Sequence, residues 1–223
     1  MNITTEKLLK EFVKDHDLVH KITELTNSNK SLIEKINETD KLSASYNIND
    51  DIAELIYDIV LFDFFDNLEN KNPNIFETTE WQKTEEKLLD RGTELFNILL
   101  YLRECSDNDF EISIDDYIDE FLMCEDDFDN QDALFYEDIL KNREQLQNSD
   151  LNTWVEIATL NFNGQLESQL LPILMFFLPS INTDQKIEII SQKGKNVEFQ
   201  KAFLSILNKF KNINNINYEH IYN

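Results

Sequence analysis

The run NDDIAELIYDIVLFDFFDNL, residues 49–68, decides the fold class. Ile52, Leu55, Ile56, Ile59 and Val60 recur at helical spacing, and Leu61, Phe62, Phe64 and Phe65 widen the stripe they make. Asn49 or Asp50 is placed to cap the first turn. A helix that is apolar around most of its circumference belongs at the centre of a bundle. Asn70 to Asn74, with Pro73, ends it.

The same period continues on both sides. Upstream, Leu8, Leu9, Phe12, Val13, Val19 and Ile22 predict one helix over Thr4 to Thr26, with a second over Ser31 to Leu42. Downstream, Thr78 or Thr79 opens a helix that reaches about Glu104, with Leu88, Leu95, Leu99 and Leu102 on its stripe. Further helices are expected over Asp115 to Met123, Asp132 to Leu146, Asn152 to Leu160, Leu166 to Leu178, Thr183 to Gln192 and Lys195 to Lys211. Pro172 kinks or restarts the fourth of these. Gly and Pro occur only three times each, which suits helices and leaves Asn, Asp and Ser to make most turns.

The expected fold is therefore all-α, an irregular bundle of about eight to ten helices. Its C-terminal third has the outline of a helical repeat but no repeating signature residues. With 223 residues, 41% of them apolar and 16 of them Phe, the chain is expected to bury a core. A single domain over residues 1–223 is expected, with a soft boundary near 148–150 and a mobile tail over 212–223.

Charge narrows the function. Lys plus Arg number 20 against 44 Asp plus Glu, a net charge of −24. Phosphate contacts need clustered basic side chains, so direct nucleic-acid binding is disfavoured, as is an anionic membrane surface. The field favours a basic protein or a divalent cation. The start of the chain has no apolar leader, and the longest apolar run, Leu170 to Leu178, is too short to span a bilayer. Cys105 and Cys124 lack metal or redox spacing and read as reduced thiols of a cytoplasmic protein.

The most unusual feature is an acidic belt, Glu104 to Asp138, which holds fifteen acidic residues and no Lys, Arg or His. It reads either as a solvated face or as a docking surface for a basic partner. The acidic face is assigned to Asp115, Asp116, Asp119, Glu120, Glu125, Asp126, Asp127 and Asp129. Phe110, Tyr117, Phe121, Phe128, Phe135 and Tyr136 are interleaved with these acids. They read as anchors within an acidic rim, or as core residues on the inner helix faces.

No catalytic or metal motif is complete. Asp107 to Glu111 starts like a calcium loop, but Ile112 stands where Gly is needed and Ile118 where Glu should close the site. His16 and His20 share a helix face, yet a closed zinc site needs four donors, so a core or boundary role is expected for His16. Glu54 with Asp58, Glu86 with Asp90 and Asp116 with Glu120 are carboxylate pairs four residues apart that flank apolar stripes, as outer-face acids do. No cofactor is implied.

The leading expectation is a non-catalytic interaction protein, an inhibitor, immunity protein or adaptor that binds a basic protein. One alternative is a metal-dependent helical enzyme acting on a phosphorylated small molecule, with Mg or Mn. Another is a nucleic-acid mimic that occupies a DNA-binding protein.

Overall fold

The computed structural model describes residues 3–69, 79, 93–117, 151–158 and 168–218. Among these the fold is all-α, with ten helices and no strand. They are α1 (Ile3–Phe12), α2 (His16–Thr26), α3 (Leu32–Ser45), α4 (Asp50–Glu69), α5 (Glu94–Asn108), α6 (Ile114–Tyr117), α7 (Leu151–Ala158), α8 (Leu170–Phe177), α9 (Thr183–Lys193) and α10 (Val197–Ile213). No described helix is long and apolar enough to cross a membrane. The chain divides into two compact units, Met1–Leu99 and Leu100–Asn223.

In the first unit α4 packs against α1, α2 and α3. Asn49 caps it, its side-chain oxygen accepting from the Asp51 N–H at 2.8 Å. Leu9, Val13, Leu18, Val19, Ile22, Ile56 and Val60 form a buried cluster, with Phe12, Leu42, Tyr46, Ile48 and Ile52 around it. The single helix expected over Thr4 to Thr26 is two. The side chain of Asp15 accepts from the N–H groups of Asp17 and Leu18 at 2.9 and 3.0 Å, which starts a new helix at His16. The apolar period runs across this break because both helices face the same core. His16 is consequently exposed rather than a core or boundary residue. Ser31 and Glu34 make a reciprocal cap at the start of α3.

The second unit is built on α8, whose eight residues are all buried and which packs against α7, α9 and α10. Pro172 is its third residue, where no intrahelical N–H bond is required, so the proline begins a helix rather than kinking one. Asn182 and Gln185 cap α9 reciprocally. Gly194 separates α9 from α10 for want of space: a Cβ there would lie 2.3 Å from Gln200 Oε1 and 2.5 Å from the Ile190 carbonyl. The buried Gln200 donates to the Ser168 carbonyl at 2.8 Å. Of the stretch expected to be a mobile tail, residues 212–218 are described. They close α10 and lay Ile216 and Tyr218 onto the unit, with Ile216 buried.

Three described non-glycine residues have positive φ: Asn47, Asp109 and Asn215. Each directly follows the last turn of a helix. In each case the next residue's N–H reaches back five residues: Ile48 to Ser43 at 3.3 Å, Phe110 to Cys105 at 2.9 Å and Ile216 to Lys211 at 3.1 Å. These are Schellman closures, with Asn or Asp in the left-handed position that Gly usually takes.

Candidate protein-interaction surface

A Schellman closure ordinarily brings an apolar residue back onto the helix it ends. Ile48 packs against the first core cluster and Ile216 is buried. Phe110 departs from this pattern and stands 61% exposed, the largest exposure of any large hydrophobic residue described. Burying such a ring against a partner would remove apolar surface that the fold leaves in water.

The loop that carries Phe110 is held on both sides. Before it, Asp109 at φ 57 and the Phe110-to-Cys105 bond close α5. After it, Ile112 is buried, and its N–H donates to the Asn217 carbonyl at 2.8 Å in a parallel pairing with Tyr218. Next, the Tyr101 hydroxyl accepts from the Ser113 N–H at 2.8 Å and donates to the Ser113 carbonyl at 3.0 Å. Burial raises the Tyr101 phenol above its ordinary range, so the hydroxyl keeps its proton. The Ser113 hydroxyl accepts from the N–H groups of Asp115 and Asp116 at 3.2 and 3.3 Å, which opens α6. Tyr117 is buried, its ring 5.5 Å from those of both Tyr101 and Phe177.

Exposed carboxylates flank Phe110 in the sequence. Glu104, Asp107, Asp109, Glu111 and Asp116 are all exposed. Arg103 meets one of them, its Nε lying 2.8 Å from Asp107 Oδ2. Of the acids assigned to the acidic face, Asp115 and Asp116 start α6, and Asp115 is partly buried. Asp119, Glu120, Glu125, Asp126, Asp127 and Asp129 lie outside the described residues, as do Phe121, Phe128, Phe135 and Tyr136.

The calcium-loop resemblance has no counterpart in this geometry. The stretch is helical through Asn108, whose side chain donates to the Glu104 carbonyl at 3.0 Å, and Asp107 faces Arg103. Among the described residues no three Asp, Glu, His or Cys side chains are grouped to hold a metal ion. His20 Nδ1 lies 3.5 Å from Glu24, with both side chains exposed.

Comparison of the chain with protein-family models, curated proteins and solved structures finds no match.

Two other places depart from the expected pattern. Asp58, whose spacing beside Glu54 suits an outer-face acid, is fully buried. Its Oδ2 accepts from the Thr93 N–H at 3.0 Å and from the Thr93 hydroxyl, while Oδ1 has no partner. Burial pushes its carboxyl well above the usual range, Thr93 opposes this, and Glu54 and Glu94 add to the rise. Asp58 thus fixes the residue before α5, and Thr93 in turn accepts from the Leu95 N–H at 3.1 Å. In the second unit, Leu151, Trp154, Leu178, Ile181 and Ile189 line a half-open groove of about 380 Å³. Ser180, Gln185 and Glu188 border it, so it offers one carboxylate.

In the sequence Phe110 stands among the aromatics of the acidic belt, with Tyr117 and those that follow. What distinguishes it in the sequence is its setting, Asp107-Asn108-Asp109 before it and Glu111 after it, where no helical stripe could take it inward.

Proposed function

We propose that this chain is a non-catalytic interaction protein that binds a basic protein partner through the acidic loop around Phe110. One observation carries the reading. An exposed aromatic ring stands on a loop fixed at both ends, in a stretch of sequence rich in exposed carboxylates. A rigid aromatic anchor inside a polar rim is the composition of a binding hot spot. The net charge of −24 favours a cationic partner and speeds its approach. The proposal extends the face along the belt through Asp115, Asp116, Asp119, Glu120, Glu125, Asp126, Asp127 and Asp129. It describes an inhibitor, immunity protein or adaptor working in the cytoplasm without binding nucleic acid directly.

The test is affinity capture at low and moderate salt with wild type, Phe110→Ala, and a variant neutralised at Glu104, Asp109 and Glu111. A basic protein retained by wild type, weakened by salt and lost from both variants is the expected result. Loss of a hot-spot ring costs about 2 kcal/mol or more, roughly thirty-fold in affinity. Retention of the same proteins by both variants would sink the proposal.

A further inference from the structure

The segment that follows Phe110 is tied to residues more than a hundred positions further along the chain. Ile112 pairs with Tyr218 through its N–H bond to Asn217. Tyr218 is itself fastened at three points. Its hydroxyl donates to the Phe176 carbonyl in the last turn of α8 at 2.7 Å. Lys211 Nζ lies 4.5 Å from the centroid of its ring, and Lys186 Nζ lies 5.8 Å from it. Lys186 also donates to the Phe176 carbonyl at 3.3 Å, and Lys211 to the Ile216 carbonyl at 3.3 Å. The Phe176 ring packs 5.9 Å from that of Tyr218.

We infer that Tyr218 is a positioning residue for Phe110: the segment Ile216–Tyr218 is a strap that holds the loop at Ile112, so a partner that engages Phe110 also senses whether the strap is seated. The inference rests on the reading of Phe110 as the anchor, and it adds a means of control to that site. A loop released at Ile112 would have to be ordered again when a partner binds, which lowers affinity without removing any contacting side chain. Any event that displaces the last residues of the strap would therefore weaken binding at a site more than a hundred positions away in sequence.

The test uses the full chain with Tyr218→Ala and Tyr218→Phe. The Ile112 amide reports the strap directly, and the Leu207 amide within α10 reports the unit as a whole. In Tyr218→Ala the Ile112 amide is expected to exchange hydrogen at least ten-fold faster, with Leu207 unchanged. Tyr218→Phe keeps the ring between Lys186 and Lys211, so the rate should stay within about three-fold of wild type. Chymotrypsin, which needs a locally unfolded segment, should cut after Phe110 in the Ala variant alone. An Ile112 amide as protected in Tyr218→Ala as in wild type overturns the inference. If Leu207 exchange also rises in Tyr218→Ala, Tyr218→Leu retains apolar bulk and is judged by the same two amides. In the capture experiment, Tyr218→Ala should lose whatever Phe110→Ala loses, and Tyr218→Phe should keep it. A freed Ile112 with retention intact would refute the control of binding by the strap. Retention by Phe110→Ala would refute the anchor while leaving the exchange result standing.

Discussion

Replacing Asp58 with Asn should change how stability depends on pH. Asp58 is fully buried, with Oδ2 bonded to Thr93 and Oδ1 without a partner. Its carboxyl is raised by burial and, secondarily, by Glu54 and Glu94. Because the folded chain holds this proton more tightly than the unfolded chain, it binds more protons across the interval between the two values. The contribution to stability is complete below the unfolded value of about 3.9 and is lost as pH rises through the folded one. One proton sets the steepest possible slope, about 1.4 kcal/mol per pH unit. Asn cannot ionise. It keeps an oxygen for the Thr93 N–H and places an NH₂ where Oδ1 has no partner, a cost of about 1–3 kcal/mol that does not vary with pH. Urea unfolding of both proteins between pH 5 and pH 8, followed by circular dichroism with equal m-values, gives the difference directly. The variant should gain on wild type as pH rises above the unfolded value, until the folded carboxyl ionises. Taking the difference removes most of the self-repulsion of a chain with net charge −24. Parallel stability curves would refute the reasoning and mean that Asp58 ionises as an ordinary solvated acid.

Gly194→Ala should destabilise the second unit by about 1–3 kcal/mol in a denaturant titration, because the new methyl meets the Ile190 carbonyl and the end of Gln200. Lys186→Met tests the buried amine, which burial, with Lys211 beside it, pulls down to about 8. Its folded value lies below its unfolded one, so wild-type stability should rise relative to the variant between about pH 8 and pH 10.5. A difference that stays flat across that window would contradict the burial of a charged Lys186. The proposal of a single domain over 1–223 expects one unfolding transition, superimposable by circular dichroism and by tryptophan fluorescence, whereas two separated transitions would reject it.

The parts of the fold legible in the sequence were those set by local pattern. Residues 49–68 announce α4 because a nearly continuous apolar surface can be buried only inside a bundle. The scarcity of Gly foretold turns made by Asn and Asp, and Asn47, Asp109 and Asn215 bear this out. The break at Asp15 is not legible in the apolar period, because that spacing survives a bend when both helices face one core. Asp58 was hidden because its partner, Thr93, lies 35 positions away, and periodicity says nothing of such pairings. The acidic belt was plain, and Asp115 and Asp116 stand where the exposed loop meets α6. The exposure of Phe110 could not be read from local pattern, because the segment that follows it pairs at Ile112 with Tyr218, far along the second unit in sequence.

Several lysines are turned onto main-chain carbonyls: Lys35 reaches that of Thr26 at the end of α2 at 2.7 Å, Lys186 that of Phe176 and Lys211 that of Ile216. Positive charge near the negative end of a helix is favourable there, but Lys186, at 3% exposure, is hidden from solvent. Lysines held this way are committed to carbonyls of their own fold, while the net charge of −24 that other molecules meet is unchanged by where they sit. Like-charged copies should then repel at low ionic strength and approach more closely once salt shortens the Debye length to about 10 Å at 0.1 M. Light scattering across a salt series would register that change as a falling second virial coefficient.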